Sequence, residues 1–271
     1  MGRLKIAALS GAALFFLPAV AAHAADIPQI PAPIKVGGGW YLRGDIGFTN
    51  QSVGSLFNAQ YEAPGTVSIT NVSRGFEAAP FAGVGVGYQF NDNFRMDVTG
   101  EYRAGATFHG LDIYDNTLAD PEVGTDEYTG IKTEWTFLAN AYWDMGTWHN
   151  ITPYLGAGIG ASFNTISGFT DVNTVTSGVA YGATETQTSL AWALYAGLGM
   201  KVTDNLTIDL GYRYIDLGNA HSGNLIAYDG TDDIDNPMEF RHLTSQDFKV
   251  GFRWALGGGS SKSYYPPVVK Y

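Results

Sequence analysis

Residues 84–103 read VGVGYQFNDNFRMDVTGEYR, and their pattern indicates the fold of the whole chain. Asn91-Asp92-Asn93 divides it, and Asp and Asn tolerate the backbone angles of tight turns. Alternate residues on either side of this turn are apolar. They are Val84, Val86, Tyr88 and Phe90 before the turn, and Phe94, Met96, Val98 and Tyr102 after it, with Gly100 between the last two. A period of two on both sides of a tight turn predicts an antiparallel β-hairpin.

The same period recurs in eight segments from Gly39 onward. They cover about 39–49, 76–90, 94–103, 131–144, 151–163, 189–202, 206–215 and 247–256. Each is about the 9–11 residues that a tilted strand needs to cross a bilayer, or slightly longer. Residues 199–214 (GMKVTDNLTIDLGYRY) also repeat the pattern of 87–103, including its Asp-Asn turn.

Ionisable side chains fall on one face of these segments, and the other face carries none. A soluble β-sandwich would show the same alternation. The uncharged face is continuous over all eight segments, however, and aromatic residues gather towards both of its ends, as they do at the two headgroup levels of a membrane. We therefore expect a paired charge network inside a barrel, formed by Arg43, Asp45, Arg95, Asp97, Glu101, Arg103, Lys132, Glu134, Asp209, Arg213, Asp247, Lys249 and Arg253, with Asp144 and Lys201 on the same face.

The connections alternate between short and long. The short ones are 91–93, 145–150 and 203–205, and the long ones are about 51–75, 104–130, 164–188 and 216–246. This predicts an all-β fold, an eight-stranded antiparallel up-and-down transmembrane β-barrel with four long extracellular loops and three short periplasmic turns. Pairing the first strand with the eighth would leave no unsatisfied edge in the hydrocarbon.

The N-terminus has the features of a targeting signal. Arg3 and Lys5 precede an apolar stretch over 6–22, and Ala22-His23-Ala24 is a small-x-small cleavage site. We expect a signal peptide over 1–24, cleaved after Ala24, a Pro-rich periplasmic segment over 25–38, the barrel over 39–256 and a flexible tail over 257–271. This predicts a location in the outer membrane of a Gram-negative cell.

Charge and composition exclude several classes of partner. The 271 residues carry a net charge of −11, which would repel the phosphates of nucleic acid. Cysteine is absent, so a lipoprotein anchor, a disulfide framework and a Cys-based metal site are excluded.

Three stretches carry a resemblance to a known family. Residues 87–103, 152–162 (TPYLGAGIGAS) and 211–218 (GYRYIDLG) resemble the opacity-type outer-membrane proteins, small OmpA-like, porin-like barrels of Gram-negative bacteria. The resemblance covers roughly residues 39–256 and implies an abundant surface antigen. Relatives in that family are described as haem binders, adhesins or porins.

The last predicted strand has the spacing of a barrel-assembly signal. Lys249, Gly251, Trp254 and Leu256 follow the polar-x-Gly-x-x-aromatic-x-apolar pattern that the outer-membrane insertion machinery recognises. Ordinary strand alternation would produce the same pattern. The expected partners are thus outer-membrane lipid, lipopolysaccharide and the assembly machinery, with an extracellular ligand that the sequence does not identify.

Other candidate sites have simpler explanations. GVGVG (83–87) and GAGIG (156–160) are read as luminal strand glycines, because neither has the spacing of a nucleotide-binding loop. The acidic residues of 104–130 and 216–246 are read as solvated charge rather than as a cation site. His109, His149, His221 and His242 could ligate haem iron but share no spacing, and Ser222 beside His221 and Ser245 near His242 are weak nucleophile candidates placed in or beside loops. We expect no cofactor, no metal site and no enzymatic activity.

The expected function is that of a surface protein. The interior of an eight-stranded barrel is just filled by side chains, so we expect a largely plugged lumen, with roles in envelope integrity and in surface interactions through the loops. The alternatives are a porin-like diffusion channel, a haem or host-ligand receptor, and a lipid-A-modifying enzyme.

Overall fold

The computed structural model describes residues 38–59, 67–116, 122–175 and 177–257. The predicted signal peptide, nearly all of the Pro-rich segment and the C-terminal tail from residue 258 lie outside these ranges. Within them, no helix is long and apolar enough to cross a membrane. The strands are β1 (Gly39–Phe57), β2 (Val67–Phe76), β3 (Ala79–Gln89), β4 (Phe94–Asn116), β5 (Glu122–Asp144), β6 (Ile151–Asn173), β7 (Val179–Gly182), β8 (Glu185–Lys201), β9 (Leu206–Ala227) and β10 (Asp232–Ala255).

Eight of these strands close a ring. The order is β1, β3, β4, β5, β6, β8, β9 and β10, every neighbouring pair is antiparallel, and β10 pairs back with β1 from Tyr41↔Ala255 to Phe57↔Glu239. The predicted eight-stranded antiparallel barrel is confirmed. Two short strands extend the wall outside the ring, β2 beside β4 and β7 between β6 and β9.

Two aromatic girdles bound an apolar outer band. One girdle lies beside the short turns and contains Trp40, Phe90, Phe94, Trp143 and Trp254, while the other contains Phe48, Tyr102, Trp135, Phe163, Trp192 and Phe248. Cross-strand pairing aligns them, since Phe94 is opposite Trp143 and Tyr102 is opposite Trp135. Between the girdles the outer face carries residues such as Val84 and Leu194, which suits contact with lipid.

The four long segments at the extracellular end differ from the expected loops in that they consist largely of strand. The strands continue well past the second girdle, because β4 runs to Asn116, β5 begins at Glu122, and the β9–β10 hairpin turns only between Ala227 and Asp232. Bulges explain why the pattern hid this continuation. The register shifts between Arg103 and Ala106, so the inward-facing residues of β4 change from odd to even numbers and the period of two is interrupted.

A similar break separates β2 from β3. In a strand over 76–90, the period that turns Val84, Val86, Tyr88 and Phe90 outward would turn Phe76 outward as well. Phe76 is instead buried inside the wall. Glu77 and Ala78 belong to neither strand, and this interruption reverses the face on which Phe76 lies.

Candidate functional site

Arg43 lies at the centre of the lumen between two carboxylates. Its Nε and Nη2 each lie 2.9 Å from an oxygen of Asp45, and its Nη1 lies 2.7 Å from Asp97 Oδ2. Nη1 also donates to the Tyr142 hydroxyl at 2.8 Å. All of these side chains are buried. The guanidinium therefore joins strands β1, β4 and β5 across the interior.

Asp97 continues this network towards the far wall. It accepts hydrogen bonds from the Tyr41 hydroxyl at 2.9 Å and from Asn140 Nδ2 at 2.8 Å. The Oδ1 of Asn140 accepts in turn from the Tyr195 hydroxyl at 2.8 Å. Each of these side chains thus has a partner supplied by another strand, which favours a stable polar interior.

A second group of charges lies nearer the girdle that contains Tyr102 and Trp135. Arg103 pairs with Asp247 at 2.7 Å and with Glu134 at 2.8 Å. Arg213 pairs with the same Asp247 at 2.7 Å and with Glu101 at 2.7 Å. Lys132 pairs with Glu134 and donates to Gln51 Oε1 at 3.0 Å, while the Ser245 hydroxyl donates to Asp247 at 2.6 Å.

Two further pairs lie towards the periplasmic end. Arg95 contacts Asp144 at 3.1 Å, and its guanidinium carbon lies 3.9 Å from the ring centroid of Tyr142. Arg253 contacts Asp209 at 2.7 Å. Lys249 belongs to the central group, because it lies 3.4 Å from Asp45.

The structure thus brings every residue of the expected luminal network together, along with Asp144, which the sequence placed on the same face. Lys201 is different, because its side chain is half exposed and contacts Asp204 in the adjacent turn. The interior set is charge-balanced, with seven bases (Arg43, Arg95, Arg103, Lys132, Arg213, Lys249, Arg253) and seven acids (Asp45, Asp97, Glu101, Glu134, Asp144, Asp209, Asp247).

Glycines on β3 and β6 make room for these long side chains. A Cβ added at Gly83 would overlap the side chain of Glu101, and one added at Gly158 would overlap the amide oxygen of Asn140. Both glycines lie in the GVGVG and GAGIG stretches, so their surroundings are those of luminal strand glycines.

An aromatic cluster lies inside the wall beyond the charged layer. Phe240 is at its centre, with ring centroids 4.9 Å from Phe108, 5.9 Å from Phe169 and 6.2 Å from Phe76. Leu217, Leu243 and Ile166 are buried in the same apolar cluster. Sequence reasoning missed this layer because Phe108, Phe169 and Phe240 lie on strand extensions that were read as loops, and Phe76 was assigned to the outer face of a strand. The isolated large apolar residues within those polar stretches were the available signal.

The charged layer and the aromatic layer complete the geometry of the barrel, and comparison with known families identifies its class. A model of the outer membrane protein beta-barrel domain family matches residues 12–255. The chain belongs to this family. This outer-membrane barrel therefore resides in the outer membrane of a Gram-negative cell, surrounded by its lipid.

Relatives of this outer-membrane barrel occur in several bacteria. An uncharacterized protein of Brucella suis is 35% identical over 227 residues, covering 74% of this chain and 75% of that protein. The outer membrane protein PagN of Salmonella typhimurium is 31% identical over 184 residues, covering 64% and 72%. A candidate adhesin of Rickettsia felis is 26% identical over 244 residues, covering 88% and 97%.

The candidate histidines and serines of the outer-membrane barrel lie on strands or in a turn. The expectation that they lie in or beside loops was therefore partly wrong. His109, His221 and His242 lie on β4, β9 and β10, while His149 lies in the turn before β6. Ser222 and Ser245 are buried on strands, where Ser222 Oγ accepts from the Met238 amide at 3.0 Å and Ser245 donates to Asp247. Within the described ranges, no group of three or more His, Asp or Glu residues is arranged to hold a metal ion.

Two acids face each other at the extracellular end of the outer-membrane barrel. Asp112 and Asp126 are cross-strand neighbours on β4 and β5, nine residues or more beyond the girdle residues Tyr102 and Trp135. Burial raises the pKa of Asp126 to about 6, and the nearby charge of Asp112 raises it further. A hydrogen bond from Asn173 acts in the opposite direction and lowers this pKa. Burial also raises the pKa of Asp112.

Proposed function

We propose that this outer-membrane barrel is a non-enzymatic surface protein whose lumen is closed and whose extracellular half supports surface interactions and envelope integrity. The observation that carries the proposal is the filling of the interior by two layers in series. The charged layer pairs seven bases with seven acids, and the apolar cluster around Phe240 lies beyond it.

Passage of a solute would require both layers to part. Separating the buried ion pairs gives up their charge-assisted hydrogen bonds, which contribute about 1.5–3 kcal/mol each. Opening the aromatic cluster would expose buried rings such as Phe108 and Phe240 to water, at about 1.5–3 kcal/mol for each side chain. The closed state is therefore favoured over a water-filled channel.

Conductance of the refolded mature chain in planar bilayers tests the closed lumen. We expect no steady single-channel current from the folded chain. A shift in gel mobility between unboiled and boiled samples verifies that the chain has folded. A general porin in the same bilayers serves as the positive control. Large, steady currents from the folded chain would overturn the proposal in favour of the porin-like alternative.

The proposal also assigns β10 to recognition by the insertion machinery. Trp254 and Leu256 are half exposed on the outer face at the periplasmic end, whereas Lys249 and Gly251 face inward. Their exposure on the last strand, at the periplasmic end, supports this role. Replacing Trp254 with Ser is expected to lower the amount of folded barrel in the outer membrane while refolding into detergent in vitro still succeeds.

A further inference from the structure

An exposed apolar groove lies at the extracellular tip where β7 meets β9. Tyr181 and Ile226 are direct cross-strand partners there, and Tyr228 follows two residues later. Tyr228 is 83% exposed, Tyr181 50% and Ile226 40%. Together with Gly182, Ala183 and Gly230, these residues line a groove of about 450 Å³.

This groove is too far from the bilayer for lipid to cover it. On β9, Ile226 lies twelve residues beyond Tyr214, whose ring contacts the girdle residue Trp192. At about 3.3 Å per residue and a strand tilt of about 40°, that length raises the groove roughly 30 Å above the girdle. Apolar side chains that are contiguous, exposed to water and not needed for internal packing indicate an interaction surface.

The surroundings of the groove are acidic. The chain from Thr133 to Met200, which contains β6, β7 and β8, has no Lys or Arg, and neither does 216–240. The turn after Tyr228 supplies Asp229, and the sequence continues with Asp232, Asp233 and Asp235. An approaching partner therefore meets two exposed tyrosine rings and an isoleucine on stretches of chain that carry Asp and Glu but no Lys or Arg.

We propose that this groove docks a basic segment of a partner protein, in which Lys or Arg side chains alternate with apolar ones. The apolar residues would cover Tyr181 and Ile226, and the cations would meet the carboxylates and the faces of the tyrosine rings. A second copy of this chain fits poorly, because it would bring the same negative charge to the contact. The inference rests on the surface-interaction part of the proposed function and names its partner chemistry.

Peptide binding to the full mature chain in nanodiscs of zwitterionic lipid tests this inference. The probes are fluorescein-labelled hexapeptides of alternating Lys and Leu, of Lys and Ser, and of Glu and Leu, read by anisotropy with empty nanodiscs as background. We expect the Lys/Leu peptide to bind at least 10-fold more tightly than the other two. Higher salt should weaken its binding, because part of the attraction is electrostatic.

Paired variants locate the binding site. Y181S/Y228S should weaken binding of the Lys/Leu peptide at least 10-fold. I113S/V123S, which removes exposed apolar side chains from the outside of β4 and β5, should leave it unchanged. Equal loss in both variants, equal binding of the Glu/Leu peptide, or a dimer that only Y181S/Y228S dissociates would overturn the inference. None of these results bears on conductance, so the closed lumen stands or fails separately.

Discussion

Arg103 shows how the interior depends on individual ion pairs. It contacts both Glu134 and Asp247, and all three side chains are fully buried. Arg103→Met would leave two carboxylates short of a partner, so we expect the free energy of unfolding to fall by about 3–5 kcal/mol. Urea unfolding in detergent micelles, followed by tryptophan fluorescence, measures the change.

Lys201→Met is the matched control for Arg103→Met. The Lys201 side chain is half exposed and pairs with Asp204 at the surface, where ion pairs contribute about 0–1 kcal/mol. We expect a change close to zero. A similar effect of both substitutions would contradict the importance assigned to the buried pairs.

Asp126 gives the extracellular end a dependence on pH. Its folded-state pKa of about 6 lies above the ordinary value of 3.8, so the folded barrel binds more protons than the unfolded chain between these values. The contribution of Asp126 to stability is therefore largest below pH 4 and is lost as pH rises through 6. We expect a higher thermal midpoint at pH 5 than at pH 7.5.

Asp126→Asn is expected to reduce this difference, because the amide does not titrate. Its thermal midpoint at pH 7.5 should exceed that of the unsubstituted chain, since the repulsion from Asp112 is removed. Glu127→Gln, on the exposed neighbouring position, is the control. If it narrowed the pH difference as much as Asp126→Asn, the assignment to Asp126 would be wrong.

At the scale of the strands, close approach of β6 to β5 requires glycine. A Cβ added at Gly160 would overlap the carbonyl oxygen of Phe137, which is backbone and has little freedom to move. We expect Gly160→Ala to lower the free energy of unfolding by about 1–3 kcal/mol. Urea unfolding of the refolded barrel measures this loss.

Gly75→Ala on β2 is the control, because nothing lies within 4 Å of an added Cβ there. We expect it to be close to neutral. If Gly160→Ala were also neutral, β5 and β6 would have to separate more easily than their continuous register from Ile131↔Ser167 to Asp144↔Tyr154 implies.

At the scale of the whole molecule, stability depends on closure between β10 and β1. Val250 faces outward in the membrane-spanning part of β10, paired with Ile46 on one side and Leu210 on the other. Val250→Pro removes a ladder amide from a strand that has no free edge, and Pro is tolerated in sheets almost only at edges. We expect loss of the compact, SDS-resistant form in unboiled gel samples.

Val250→Ala keeps the amide and is expected to retain the compact form with a small loss of stability. The two variants remove the same lipid contact but differ in backbone pairing. Equal gel behaviour would mean that closure through β10 is not what makes the molecule resistant to SDS.

The membrane-spanning part of the barrel could be predicted from the sequence because the bilayer imposes a local rule. Lipid excludes charge from one face, so residues such as Arg95, Asp97 and Arg213 were sorted by position alone. The short turns at 91–93 and 203–205 followed from their Asp and Asn residues. The pairing partners could not be predicted, because the choice of Asp247 by both Arg103 and Arg213 depends on strands 34 or more residues apart.

An eight-stranded outer-membrane barrel with its charges inside follows from the sequence alone, since a period of two and a charge-free face are local properties. The height of the wall above the membrane and the side chains that fill it depend on contacts between distant strands. Bulges near Arg103 and Thr129 shift the side-chain phase, and Phe76, Phe108, Phe169 and Phe240 meet only when four distant strands close around them. The outer face of those extensions lies in water, which accepts polar and apolar side chains alike, so no regular alternation appears in the sequence there. Their strand structure is specified by inward packing, which a linear sequence does not display.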